Sequence, residues 1–314
     1  MNPERDRSAD SHREMAAGGT RLRWEVTTVG CLYLGYAALI LCRTALPIAA
    51  PAMIDDPALT LDKASFGALL GWGAGGALTG KLLCGIAADA LGGRRLFLFA
   101  LVSMAGAVLV FGASSGGVLF MLLNFAAQLT KAAGWPAMAK AIGSWFEAIR
   151  LGRIWGIIST SSRASSVLSS LLLGGLLMVL PWRWLFFVAG AITLLVAVVC
   201  FFALKDSPKA VGLEAPSEES AGERETSSEW SRSLPSTLAF FARSDRVRLI
   251  CVSIVALTLQ MEFLSFLPLY MAEVHALEAG MAGIASSAFP AGSFLSVLVG
   301  GAIYDRVSLI SREK

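Results

Sequence analysis

Four basic residues stand inside four different long apolar segments of this 314-residue chain: Arg43, Lys81, Lys131 and Arg163. Only one acid, Glu262, lies at comparable depth in such a segment. A cation at the centre of a membrane-spanning helix costs about 2.5–3.5 kcal/mol on insertion scales, so each must face water, a carboxylate or an anion. The excess of basic groups over carboxylates predicts an internal cavity that attracts anions.

The segments that carry these residues are typical of membrane-spanning helices. Hydrophobic residues make up 55% of the chain, charged residues 16%, and the mean hydropathy is +0.66, whereas soluble domains average about 25% charged residues. A helix of about 20 apolar residues crosses the hydrocarbon core. We therefore predict an all-α polytopic membrane protein. Its candidate spans are 24–52, 64–88, 95–113, 118–142, 154–180, 184–203, 248–272 and 279–303.

The distribution of Lys and Arg predicts the orientation. These residues gather in the N-terminal tail, after the second, fourth and sixth spans, and at the C-terminus, whereas the opposite loops hold Lys63 and Arg183 alone. By the positive-inside rule the N-terminus is cytoplasmic, and we expect the plasma membrane, in a bacterium the inner membrane. The tail lacks a short apolar core with a small-residue cleavage site, so we expect the first span to be retained.

Several classes of site are not expected from the composition. The five cysteines lie within or at the ends of spans, without the spacing of a disulfide framework or a zinc site. His12 and His275 fall in tail and loop, and no nucleotide-binding glycine loop is present. The net charge of +3 comes without a soluble basic domain. We predict no enzyme, no cofactor, no metal and no nucleic-acid partner.

A hydrophilic stretch divides the chain into two sets of spans. Residues 204–247, rich in Ser, Glu and Arg, cannot bury a core and are predicted to be a cytoplasmic linker. The predicted organisation is therefore a tail at 1–23, a six-helix bundle at 24–203, the linker, and two helices of a second bundle at 248–314.

An internal repeat supports this division. A Gly-x-x-x-Asp pattern closes the second span, and the same pattern closes the eighth, which is the second span after the linker. Parallel repeats of this kind build the two halves of one large transporter architecture. The first copy continues into a glycine turn with basic residues. The motif comprises Gly85, Asp89, Gly93, Arg94 and Arg95, and its repeat comprises Asp305 and Arg306.

This loop resembles the signature of the major facilitator superfamily, and the wider sequence resembles its organophosphate:phosphate antiporter branch. The resemblance is carried by residues 35–51, 80–95, 134–146, 155–162, 182–190 and 204–213. It implies the major facilitator fold, here as a six-helix N-terminal bundle plus a partial, two-helix C-terminal bundle. It also implies transport by rocking of the two bundles about a site near the bilayer midplane.

The resemblance assigns roles to several positions. Arg43 occupies the place of the phosphate-binding arginine of helix one, where a planar guanidinium matches a phosphate edge; the alternative is snorkelling to the outer surface. Lys81 matches the family's lysine of helix two, with snorkelling or pairing with Asp89 as the alternative. The second phosphate-binding cation, on helix seven, falls at Gln260 here. The cationic clamp therefore lacks one arm, and a carboxylate substrate becomes an alternative to a phosphate ester.

Three further residues complete the candidate site. Lys131 lies one turn before Gly-Trp-Pro at 134–136, where proline opens the helix and Trp135 can wall a cavity. Arg163 lies in a serine-rich span and is interpreted as an anion ligand or as the partner of Glu262. That acid either forms a permanent salt bridge or takes up a proton that drives transport.

We therefore predict a secondary active transporter of a small organic anion, an organophosphate or a carboxylate, with protons or phosphate as the counter-substrate. The alternatives are a membrane sensor of sugar phosphates and a non-functional fragment, since the chain ends after eight of the twelve spans that the resemblance implies. The sequence leaves substrate identity, transport direction and oligomeric state open.

Overall fold

The computed structural model describes residues 3–59, 61–213, 245–296 and 299, with side chains described in these ranges except at 3–18, 148, 251, 254–255 and 257–262. Residues 214–244 of the predicted linker, together with Asp305 and Arg306, thus lie outside the described residues. Every regular element in the described part is helical. The α-helices are α1 (Pro3–Ile54), α2 (Lys63–Leu91), α3 (Gly93–Ala113), α4 (Val118–Ala132), α5 (Gly134–Trp145), α6 (Ala148–Leu177), α7 (Arg183–Ala203), α8 (Asp245–Phe263), α9 (Leu267–Val274), α10 (Ala279–Ala285) and α11 (288–296). Short 3₁₀ helices cover Pro208–Val211 and Leu264–Phe266.

Four described helices are long and apolar enough to cross a membrane: α2, α3, α7 and the Gly19–Ile54 part of α1. The other predicted spans are interrupted or polar. The fourth is divided into α4 and α5 because Pro136 cannot donate to the carbonyl of Ala132. The fifth, α6, is long but rich in serine. The seventh passes from α8 through a 3₁₀ turn into α9, and the eighth is broken at 286–287.

Glycines set the closest helix contact, between α2 and α4. A Cβ at Gly80 or Gly76 would meet the backbone of α4, at Leu129 and Phe125 respectively. The side-chain amide of Asn124 adds a hydrogen bond to the carbonyl of Leu69, at 2.8 Å. Small residues allow such approach in membranes, where helix association depends on packing and on polar contacts between helices. This face therefore determines how α2 is rotated in the bundle.

The remaining helices of the first bundle pack around α1 and α3. Helix α1 lies against α6 and α7, and α3 lies against α4, α5 and α7. Gly93 faces α5 so closely that a Cβ would lie 2.6 Å from the backbone nitrogen of Ala141. The guanidinium of Arg94 donates to the carbonyls of Leu204 and Phe201 at the end of α7, at 2.6 and 2.8 Å. A cation at a helix C-terminus is electrostatically favourable.

The turn between α2 and α3 shows how the loop motif is built. Gly92 has a φ of 80°, which favours glycine. The Asp89 carboxylate accepts a bond from Lys140 of α5, with an N–O distance of 2.7 Å, while Arg95 is exposed. Gly85 is exposed on α2, and no atom outside the local helix lies within 4 Å of the Cβ position there. The motif therefore ties α2, α5 and α7 together at this end of the bundle, which we call the turn end.

At the opposite end, which we call the loop end because it carries residues 55–62, the second half contacts the first. Lys63 donates to Glu273 of α9 at 2.8 Å, and the rings of Phe66 and Phe266 are in edge contact. Helices α6 and α10 cross where Gly174 meets residues 280–284, so closely that a Cβ on Gly174 would lie 2.8 Å from the backbone nitrogen of Ile284. At the turn end, by contrast, Leu249, Ile250 and Val252 of α8 are exposed.

Candidate anion-binding cavity

A cavity of about 300 Å³ lies between the two halves. Its walls come from α1 and α6 on one side and, on the other, from α9, α11, the 3₁₀ turn before α9 and Ser286 in the turn after α10. Pockets for small molecules usually hold about 300–1,000 Å³. The volume of the cavity therefore matches a small ligand. Because both halves contribute to the walls, movement of one half relative to the other would change the contacts of that ligand.

Arg43 is one of two arginines in the wall of this cavity. It lies on the α1 face that also carries Ile40 and Pro47, and it is partly buried. Pro47 has no N–H to donate to the carbonyl of Arg43, which loosens α1 at this point. Arg43 also borders a second cavity of about 20 Å³ beside Asn124 and Gln128 of α4. Arg43 thus lies between the larger cavity and the centre of the first bundle.

Arg163 of α6 is the second arginine of the cavity wall and is also partly buried. Its Nε donates to Ser293 Oγ at 3.3 Å, and its Nη1 lies 3.4 Å from the carbonyl of Ser159, one turn earlier in α6. The arginine therefore leans toward the start of its helix, as side chains in helices generally do. Its bond to Ser293 connects the first half with α11 of the second.

The lining of this cavity is positively charged. Both arginines belong to it, and no Asp or Glu is found among the described side chains that line it. The side chain of Glu262 lies outside the described residues, so its predicted pairing with Arg163 stays a prediction. Two guanidiniums beside one small cavity favour a bound anion, because an anion offsets their mutual repulsion and can accept several charge-assisted hydrogen bonds.

Hydroxyl groups provide most of the remaining polarity. The second half supplies Ser265, Ser286 and Ser293, which were not predicted as site residues. Ser286 and Ser293 are seven residues apart, which would place them on one face of the unbroken helix predicted over 279–303. That spacing is the sequence signal that could have identified them, although the structure breaks this helix at 286–287. The first half supplies Thr44, Ser162, Ser166 and Ser170.

Lys81, Lys131 and Trp135 are not among the residues that line this cavity. Lys81 is exposed on α2 beside Leu82 and Leu83, rotated away from the glycine face that packs on α4. Lys131 is partly buried in the last turn of α4, where a cation interacts favourably with the helix dipole. Gln260 lies in α8, where its side chain is outside the described residues. The structure therefore brings together Arg43 and Arg163 of the predicted cations.

Trp135 belongs to an aromatic cluster on the turn-end side of the arginines. Its ring centroid lies 5.8 Å from that of Tyr36 on α1 and 4.9 Å from that of Trp155 on α6. Tyr36 precedes Arg43 by two helical turns, and Trp155 precedes Arg163 by about as much. Trp135 remains 43% exposed, so the cluster presents an aromatic surface between the arginines and the turn end.

Comparison with known proteins identifies the family. The model of the Major Facilitator Superfamily matches residues 32–312. The chain is 26% identical over 197 residues to the probable hexose phosphate transport protein of Chlamydia trachomatis, covering 61% of this chain and 42% of that protein. It is 27% identical over 215 residues to the glucose-6-phosphate exchanger SLC37A2 of Bos taurus, covering 60% and 44%. The chain thus spans less than half the length of these relatives.

The fold comparison agrees. A crystal structure of a bacterial homolog of the human lysosomal transporter Spinster superposes with a TM-score of 0.61 at 19% identity, covering 90% of this chain and 63% of that one. The D-xylose-proton symporter gives a TM-score of 0.57 at 12% identity, covering 90% and 68%. The expected all-α polytopic membrane fold and the resemblance to organophosphate antiporters are confirmed. The chain is a multi-pass integral membrane protein, and it belongs to the Major Facilitator Superfamily.

Proposed function

We propose that this chain is a secondary transporter of a small organic anion, with a phosphate monoester as the preferred class. One observation carries the proposal: Arg43 and Arg163, from two helices of the first half, line a single small cavity that the second half closes. Hexose-phosphate and glucose-6-phosphate carriers among the relatives support the phosphate class.

In this proposal the two arginines bind the anionic group. Each guanidinium offers paired donors to two oxygens of a phosphate or carboxylate, and a hydrogen bond to a charged group contributes about 1.5–3 kcal/mol. Trp135 and its cluster lie outside the lining of this cavity, on its turn-end side, where they would contact the uncharged part of a ligand that extends in that direction. Lys81, Lys131 and Gln260 stay candidates for contacts in other states of the transport cycle.

Alternating access would open and close the two ends of the cavity in turn. The contacts of Lys63 with Glu273 and of α6 with α10 close the loop end here, while the start of α8 is exposed at the turn end. If the N-terminus is cytoplasmic, in the plasma membrane, the loop end that is closed here faces away from the cytoplasm.

Exchange in proteoliposomes tests the proposal. Vesicles that contain the purified chain and are loaded with inorganic phosphate should take up labelled glycerol 3-phosphate or glucose 6-phosphate, and Arg43→Gln and Arg163→Gln should abolish uptake. Arg153→Gln is the matched control, because Arg153 is an exposed residue of α6 away from the cavity. Saturable binding without exchange would favour a sensor, and the absence of both binding and exchange would contradict the proposal.

Glu262 is proposed as the residue that couples transport to protons. If it takes up the driving proton, Glu262→Gln should keep phosphate exchange and lose uptake driven by a proton gradient, because the amide cannot titrate. Neutralising this acid also leaves the site more positive, so anion affinity should be kept or increased. Gradient-driven uptake equal to that of the unaltered chain would assign Glu262 to a structural salt bridge instead.

A further inference from the structure

We propose that Ser293 is an anion ligand, contributed by the second half and strengthened by Arg163. This inference rests on the proposed function and names a binding residue for the same site. The resemblance implies one cation from each half, but the second of these positions is Gln260 here. Both arginines that line the described cavity come from the first half, so the second half must recognise the anion with other donors.

Ser293 differs from the other hydroxyls of the cavity because its oxygen accepts a hydrogen bond from an arginine. No such bond is described for Ser162, Ser170 or Ser265, which also line the cavity. Three others use their protons within their own helices: Thr44 donates to Ile40, Ser166 to Ser162, and Ser286 to Ala282. Those protons already have acceptors. They are therefore weaker candidates for donors to a ligand.

Ser293 acts as a hydrogen-bond acceptor, whereas those three hydroxyls act as donors. Its oxygen accepts from Arg163 Nε at 3.3 Å, and no described residue accepts a hydrogen bond from its hydroxyl. Because the oxygen lone pair points at the guanidinium, the proton points elsewhere, and the side chain borders the cavity. The positive charge of Arg163 also polarises this O–H group, since successive hydrogen bonds strengthen one another. Ser293 is therefore arranged to donate a charge-assisted bond to an anion oxygen.

This arrangement has a consequence for the ligand. The two arginines can bind an anion from the first half. Ser293, an uncharged residue of the second half, would donate a hydrogen bond to one oxygen of the same anion. A phosphate or phosphate monoester has enough oxygens to accept from both sides. The bond between the anion and Ser293 would form only when the second half packs against the first half around the cavity. Anion binding would therefore stabilise that packed arrangement.

Binding of inorganic phosphate to the purified 314-residue chain, followed by tryptophan fluorescence, tests the proposal. Ser293→Ala should weaken phosphate binding about tenfold or more, the expected loss of a hydrogen bond to a charged group. Ser293→Thr keeps the hydroxyl and should bind within about threefold of the unaltered chain, a difference of well under 1 kcal/mol. Ser296→Ala is the matched control, because Ser296 is an exposed residue of the same helix, does not line the cavity, and donates its hydroxyl to the backbone carbonyl of Ser293.

A second background separates a ligand from a residue that only positions Arg163. Arg163→Lys keeps the positive charge but removes the planar guanidinium group that Ser293 could orient. If Ser293 contacts the anion, Ser293→Ala should weaken phosphate binding in this background as well. No further loss there would overturn the ligand role, and so would normal binding by the Ser293→Ala single variant.

The same phosphate titration distinguishes failure of the Ser293 proposal from failure of the proposed transport function. Loss of binding in Arg43→Gln together with normal binding in Ser293→Ala refutes the inference about Ser293 alone. Normal binding in Arg43→Gln, or no response of the unaltered chain to phosphate, refutes the proposed function and this inference with it. Each variant is compared only after it elutes as a single species in detergent, and Ser293→Thr keeps the inference falsifiable if Ser293→Ala fails to fold.

Discussion

Guanidinium geometry distinguishes the two arginines of the cavity from the two predicted lysines, Lys81 and Lys131. Arg163 already uses two of its nitrogens as donors, one to a serine of the other half and one to its own helix. Arg43 is held between the main cavity and a smaller one beside α4. A lysine at either place would keep the charge but would present a single ammonium on a flexible stem. Charge alone therefore does not describe this site.

The Arg43→Lys variant tests this view. We expect phosphate binding, measured by calorimetry or tryptophan fluorescence, to weaken about tenfold or more, because the ammonium cannot form the paired bonds of the guanidinium. Arg153→Lys, on the exposed surface of α6, should bind as the unaltered chain does. Full binding by Arg43→Lys and by Arg43→Gln would remove Arg43 from the site and support its alternative role at the outer membrane surface.

The contact between α2 and α4 shows how one pair of elements positions functional groups. Gly73, Gly76 and Gly80 follow one face of α2, and that face is buried against α4. Lys81 follows directly after Gly80 in a helix that turns by about 100° per residue, so it is carried away from this contact. The glycine face thus decides that Lys81 is exposed in this structure while Asn124 of α4 is buried.

Gly76→Ala should destabilise the bundle. The added Cβ would meet the backbone of Phe125, which cannot move aside as a flexible side chain can, and overpacking of this kind costs about 1–3 kcal/mol. Thermal unfolding in detergent measures the effect. The control is Gly71→Ala, where nothing lies within 4 Å of the new Cβ. Equal unfolding temperatures for both variants would contradict the close packing of α2 on α4.

On the scale of the whole molecule, the described contacts between the halves are unevenly distributed. They lie at the loop end and around the cavity, through Lys63 with Glu273, Phe66 with Phe266, and Arg163 with Ser293. The ion pair is exposed, and such pairs contribute about 0.2–1 kcal/mol. The ion pair is therefore a contact of the loop end that a modest free energy can break, as a transport cycle requires.

Charge reversal at the ion pair should shift this closure. In a chain with the native cysteines replaced, Lys63→Glu should increase labelling of Ser166→Cys in the cavity by an impermeant maleimide added from the loop-end side. The combined exchange Lys63→Glu with Glu273→Lys should restore slow labelling, and Lys209→Glu, outside this contact, should leave it unchanged. Identical labelling rates in all variants would show that the ion pair does not hold this end.

Membrane orientation gives a second prediction at this scale. If the N-terminus is cytoplasmic, Ser115→Cys and Pro181→Cys should react with an impermeant maleimide added outside intact cells, because both positions lie in outer loops. Ser217→Cys, in the predicted linker, should be protected until the cells are permeabilised. Labelling of Ser217→Cys with protection of Ser115→Cys would invert the topology and with it our interpretation of the charge distribution.

The sequence by itself determined the class of this protein and the depth of its charged groups. Hydropathy, the positive-inside distribution and the repeated loop motif predict a polytopic membrane protein with two related halves, because bilayer thickness and the cost of buried charge act on composition along the chain. Arg43 and Arg163 were identified for the same reason. Their depth in apolar segments requires a polar environment whatever the arrangement of the helices.

Only the tertiary structure decided which of these residues meet. Depth along a helix can be read from the sequence, but the direction in which a side chain faces depends on how neighbouring helices pack. Close packing at Gly76 and Gly80 leaves Lys81 exposed, whereas contact of α1 with α6 places Arg43 and Arg163 at one cavity. Ser293 carries no charge and produces no hydropathy signal. Its role depends on a hydrogen bond across the two halves, which exists only once they are packed together.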